Sequence, residues 1–115
     1  MIRAAFCGTA RAAADAIVDF AQGRSFNDYM SNLMLRSAVE RQFEIIGEAL
    51  SQLHRADPAL AARIPDLRPV IGFRNALIHG YAQIDDVEVW WAIEVDLPPL
   101  RARVAALLAE LGETP

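Results

Sequence analysis

At 115 residues, with 54% hydrophobic and 23% charged residues, the chain has the size and composition of one globular domain, which excludes a disordered tail. A net charge of −4 argues against broad attachment to nucleic acid through a basic surface, and no run approaches the roughly 18 consecutive apolar residues of a membrane span. Cys7 is the only cysteine, so neither an intrachain disulfide nor a cysteine metal cluster can form, and a reducing, cytoplasmic setting fits best.

The periodicity is helical almost throughout, and no run alternates with a period of two. The opening stretch, residues 1–14, is small and apolar; its apolar run is too short for a signal peptide, and it is a candidate for disorder, with Cys7 an inert or frayed thiol. Residues 12–22 predict a first helix with Ile17 and Phe20 inward and Gly23 as its stop. Ser25 and Asp28 are candidate caps for a long second helix over 29–55, in which Val39, Phe43, Ile46, Leu50 and Leu53 follow the 4-3-4-3 spacing of a packed seam. Leu33, Met34, Leu35, Ile45 and Ile46 spread further around that helix, so it calls for more than one packing partner: either the chain's own helices or a second copy.

Asp57-Pro58 ends this helix and can start a short one. Pro65 and Pro69 bound a connection, and residues 70–79 predict a third helix ending near Gly80. Asp85 and Asp86 are suited to cap a fourth helix carrying Val87, Trp90, Trp91 and Leu97. Pro98-Pro99 punctuates it before a last amphipathic helix over 100–111, stopped by Gly112. The expectation is an all-α fold: one domain over 1–115, an antiparallel bundle of four long helices plus short ones.

Residues 74–81, Arg-Asn-Ala-Leu-Ile-His-Gly-Tyr, concentrate the chemistry of the chain. Histidine titrates near neutral pH and serves as general acid or base, and arginine offers a permanent charge and a planar fork for phosphate oxygens. On a helix Asn75 and His79 share one face, so the amide can orient the imidazole, whereas Arg74 and His79 point about 140° apart. They converge on one ligand only if the helix ends near Gly80 or a second copy supplies one of them, as a two-fold dimer would. These are parts for cleaving RNA without a metal. The plainer reading is a histidine capping helix-end carbonyls and an arginine on the surface. His54 stands alone, and no paired Cys/His or clustered carboxylates suggest a metal site.

The segment resembles the Arg-x4-His-x-Tyr signature of HepT-like toxins, a branch of the HEPN superfamily of helical ribonuclease domains. Beyond Arg74, His79 and Tyr81, Ile45-Ile46-Gly47-Glu48-Ala49, Ile71-Gly72-Phe73-Arg74-Asn75 and Asp96-Leu97-Pro98 are similar to family segments in order and spacing, so roughly 17–108 is covered. The resemblance implies an all-α homodimer with clefts across its interface, acting as an RNA-cleaving toxin with no cofactor. It implies Arg74 and His79 as the catalytic pair, Asn75 in support, and Tyr81 as the residue to which a minimal nucleotidyltransferase antitoxin adds AMP. Residues 1–14 depart from the family's charged, longer first helix.

The other residues of note have mainly structural readings. Glu48 suits a surface ion pair. Of the adjacent Trp90 and Trp91, one should face the core and the other a rim or interface. Two competing functions remain: a non-catalytic dimer that binds a nucleotide or a nucleotidyltransferase partner, and a purely structural helical dimer.

Overall fold

The computed structural model describes residues 2–64 and 86–112. The first helix, α1 (Ile2–Ala21), begins at residue 2 rather than at 12, so the stretch proposed for disorder is helix. The reason lies in its composition. Alanine has the strongest helix propensity but gives no periodic contrast to read. Ala4, Cys7, Ala10, Ala13, Ala14 and Ile17 form one buried stripe, and such small side chains let a neighbouring helix come close. Cys7 is fully buried rather than frayed, and burial pushes its thiol pKa up, which fits an inert group. Phe20, expected inward, is 37% exposed; it sits about 60° around the helix from Ile17. Ala21 packs against the core instead. Gly23, with φ +74, supplies the left-handed turn that stops α1.

The long helix expected over 29–55 is two helices, α2 (Phe26–Met30) and α3 (Leu33–Ala56). Ser25 and Asp28 close a capping box on α2: Ser25 Oγ accepts from the Asp28 amide at 3.1 Å, and Asp28 Oδ2 from the Ser25 amide at 2.8 Å. Hydrogen bonding of the Asp28 carboxyl by the Ser25 amide, and then by the Ser25 side chain, holds it below its usual pKa. The break falls at Ser31-Asn32, because both side chains offer the backbone local partners. Ser31 Oγ donates to the Asn27 carbonyl at 2.9 Å, and Asn32 Oδ1 accepts from the Leu35 amide at 3.0 Å, restarting the chain as α3. The expected seam of α3 is buried: Val39, Ile46, Leu50 and Leu53 have no exposure, and Phe43 3%. Asp57 ends α3 and caps α4 (Pro58–Ala61), accepting from the Leu60 amide at 3.0 Å, with Pro58 in the first turn.

After the undescribed stretch, α5 (Asp86–Trp91) runs into a π-helical turn (Ala92–Asp96) and then α6 (Leu97–Glu110). Pro98-Pro99 therefore does not break the chain as expected, but occupies the first turn of α6. The Leu97 amide reaches back to the Ala92 carbonyl, five residues away. The wider turn removes the need for proline amides in the ladder and shifts the carbonyls a proline ring would strike. Gly112, at φ +83, follows the end of α6 as expected.

Three ion pairs fix the directions. Arg3 meets Asp57 at 3.2 Å, so the start of α1 lies beside the end of α3. Arg63, just past α4, meets Glu110 at 2.7 Å, and Arg101 meets Asp15 at 2.6 Å, so α6 runs with α3 and against α1. The core between them is apolar, with Ile17, Leu50, Leu53, Val89, Leu97, Leu100 and Leu107 essentially without exposure. No strand occurs among the described residues, and the fold is all-α. The expected helix over 70–79 lies outside the described residues.

Candidate active site

Arg74, Asn75, His79 and Tyr81 all fall within 65–85, outside the described residues, as does Asp85. What is described is the frame from which that stretch departs and to which it returns. On the entry side Ile64 is buried, and the neighbouring Arg63 grips both carboxylate oxygens of Glu110, each at 2.7 Å. Both contacts come from one nitrogen, Nη2, and the two side chains are about half-exposed.

On the return side Asp86, the first residue of α5, lies 3.9 Å from Nε of Arg36 on α3. The same guanidinium donates through Nη1 to the carbonyls of Tyr29 and Met30 at the C-terminal end of α2. One arginine thus ties α2, α3 and α5 together. Trp90 adds an apolar tie, its ring centroid 5.5 Å from Tyr29 and 6.4 Å from Phe26, both tilted. Trp90 packs against the core and Trp91 is 61% exposed, the division expected for the pair.

This corner is electrostatically tense. Tyr29 is fully buried, yet among the described residues its hydroxyl has no hydrogen-bond partner. Burial pushes the phenol well above its usual pKa, with the negative charges of Glu40 and Asp86 adding to the shift. Burial likewise raises the Glu40 carboxyl, again reinforced by Asp86 and opposed by Arg36. None of Tyr29, Arg36 and Glu40 stands out in the sequence, because the pair that organises them joins residues fifty apart. Only Asp86 was legible, and as a cap.

Elsewhere the surface is plainer. An open groove of about 380 Å³ runs between α1 and α3, with Phe6, Ile45 and Ala49 in its lining and Arg41, Glu48 and Gln52 charged or polar. Glu48 accepts from Gln52 Nε2 at 2.8 Å and lies 4.0 Å from Arg55, the surface pairing expected of it. His54 is exposed on the last turn of α3. Among the described residues no three His, Cys, Asp or Glu side chains gather as metal ligands do, and no helix is long and apolar enough to cross a membrane.

The profile of the ribonuclease HepT-like family matches residues 10–107, which include all of α3, α5 and the 74–81 segment. The chain belongs to the ribonuclease HepT-like family. Among its relatives, a candidate RNase of Methanocaldococcus jannaschii is 32% identical over 91 residues, 79% of this chain and 83% of the relative. A probable ribonuclease HepT of Thermococcus cleftensis is 30% identical over 95 residues, 83% of this chain and 86% of the relative. A candidate RNase of Caldanaerobacter subterraneus is 29% identical over 92 residues, 80% and 81% of the two chains. No solved structure matches the chain. Membership places the protein among ribonuclease-type enzymes, and the matched span leaves out only the first turns of α1 and the last residues of the chain.

Proposed function

We propose that the protein is a metal-independent endoribonuclease of the cytoplasm, the toxin of a toxin–antitoxin pair, working as a homodimer with its cleft across the interface. The observation that carries this reading is the family match, which runs through the Arg74, His79 and Tyr81 signature. In the cleft His79 removes the proton from a ribose 2′-hydroxyl. The oxygen attacks the adjacent phosphorus, and the 5′-oxygen leaves with a proton returned to it. Arg74 stabilises the charge that accumulates on the phosphoryl oxygens, and Asn75 orients the imidazole. Because Arg74 and His79 diverge on a helix, the reading takes one of them from each copy.

Control falls to Tyr81. A minimal nucleotidyltransferase antitoxin joins the phenol oxygen to the α-phosphorus of ATP, releasing pyrophosphate, and the added adenylate repels and obstructs the RNA backbone. The acidic balance of the chain, net −4, favours one rival: a non-catalytic dimer that binds a nucleotide or the nucleotidyltransferase.

RNA cleavage in the presence of chelator separates the two. Wild type should cleave and His79→Ala should lose about a hundredfold or more of the rate; equal background from both would leave only the binding module. After incubation with the nucleotidyltransferase and ATP, wild type should gain the mass of one AMP and Tyr81→Phe should not.

A further inference from the structure

Helix α5 and the π-helical turn carry an apolar row on each of two opposite sides. Val89, Ile93 and Leu97, four residues apart, are buried and form the inward row. Val87, Trp91 and Val95, also four apart, are 59%, 61% and 44% exposed. On a regular α-helix each four-residue step overshoots a full turn by about 40°, so neither row would stay in line. The π-helical turn holds more residues per turn and takes up that excess. It keeps the inward row on the core, and by the same stroke it aligns the second row toward solvent.

The charge around the outer row has one sign. From Asp86 to Leu100 there are four carboxylates, Asp86, Glu88, Glu94 and Asp96, and no arginine or lysine. Glu88 and Glu94 are exposed; one follows Val87 and the other precedes Val95, so helical geometry sets them on opposite shoulders of the row. That sign decides what can cover it. A second copy laid against the row by a two-fold axis would bring carboxylates to carboxylates. RNA phosphates and anionic lipid headgroups are repelled for the same reason. A helix with apolar side chains along one face and arginine or lysine on both flanks buries the row and pairs its shoulders. Trp91, a large exposed aromatic in the middle of the row, is suited to anchor such a contact. The row is roughly 12 Å long, about two turns of a partner helix, which is the scale of a transient contact.

We propose that the Val87, Trp91 and Val95 row is a docking surface for a cationic amphipathic helix of another protein, with Trp91 as its apolar anchor and Glu88 and Glu94 as its charged shoulders. The inference stands apart from the nuclease reading, since none of these residues has a part in the proposed cleavage.

The probe is a synthetic helical peptide of about five turns, with leucines along one face and arginines flanking them. Calorimetric titration of the full chain reads its affinity, and tryptophan emission should move to the blue as Trp91 is covered. Wild type should bind saturably, and a peptide of the same composition in scrambled order should bind at least about tenfold more weakly. Trp91→Ala and, separately, Glu94→Arg, each at an exposed position, should keep the wild-type circular dichroism and melting profile. Each should weaken the peptide about tenfold or more. Asp19→Arg, the same charge change at an exposed position of α1, should alter binding by less than about twofold. Equal affinity for the scrambled peptide, or full affinity in Trp91→Ala, would overturn the proposal. So would Asp19→Arg proving as harmful as Glu94→Arg, because the contact would then be net charge alone. A fall in sedimenting mass for Trp91→Ala would give the row to a second copy, and binding to phosphatidylserine vesicles that Trp91→Ala abolishes would give it to a membrane; either result sinks the cationic helix.

Discussion

Two regions of α3 are built on different principles. Along its inner face Val39, Phe43, Ile46, Leu50 and Leu53 pack against α1 in a core where no charged side chain is buried among the described residues. At its N-terminal end, where α2 and α5 meet it, a buried phenol, a guanidinium and two carboxylates share a small volume. The first region is non-directional: any arrangement that excludes water gains from it. The second is directional, since each polar group gains only at a particular place, and Arg36 there holds α2 and α5 at fixed positions. The core therefore supplies stability, while the corner sets where the chain returns from the segment bearing Arg74 and His79.

The largest test of this division is in the core. Leu50 has no exposure, so Leu50→Ala loses its buried methyls and leaves a cavity. Destabilisation of about 3 kcal/mol is expected in urea unfolding. A loss below about 1 kcal/mol would mean that the α1–α3 contact is loose, and that the contrast with the corner has been drawn too sharply.

In the corner the sign should reverse. Among the described residues the buried Tyr29 hydroxyl meets no partner, and such a group carries its desolvation cost with no return. Tyr29→Phe keeps the ring against Trp90 and Phe26 and removes only the oxygen. Stabilisation of about 1 kcal/mol is expected in the same unfolding experiment. A loss of stability would show that the hydroxyl has found a partner and that the corner is as well satisfied as the core.

The same contrast separates what the sequence disclosed from what it hid. The inner seam of α3 was legible because apolar residues against a polar background mark a period. The caps at Ser25 and Asp57 and the stops at Gly23 and Gly112 were legible because local chemistry decides them. The first ten residues of α1 were not, since alanine fits both helix and loop without contrast. Nor were the break at Ser31-Asn32 and the π-helical turn before Pro98, where short-range hydrogen bonding overrides periodicity. The corner was invisible for a third reason: Arg36 and Asp86 meet only once the fold exists. Of the candidate site, Arg74, Asn75, His79 and Tyr81 were legible as chemistry, and their family follows from the match that spans them. Their geometry lies outside the described residues.

The smallest expected effect is also the most specific to the corner. Burial raises the Glu40 carboxyl above 4.5, its ordinary value, and Asp86 adds to the shift. An acid with a raised folded-state pKa binds its proton more tightly when folded. Its contribution to stability is therefore fully present below the unfolded value and is lost as pH rises from about 4.5 through the folded pKa. Above that window the charged carboxylate is a cost, tempered by solvent because Glu40 is only half-buried and by the nearby Arg36. Glu40→Gln removes the titration while keeping the shape. It should stabilise the protein at neutral pH by less than about 1 kcal/mol and leave stability at pH 4 nearly unchanged. The difference between the two proteins, followed from pH 4 to pH 8 by thermal unfolding, should grow with pH and then level off. A difference that stays flat, or that favours Glu40 at neutral pH, would mean that Arg36 outweighs both burial and Asp86. The corner would then be a satisfied ion-pair network, no more tense than the apolar face beside it.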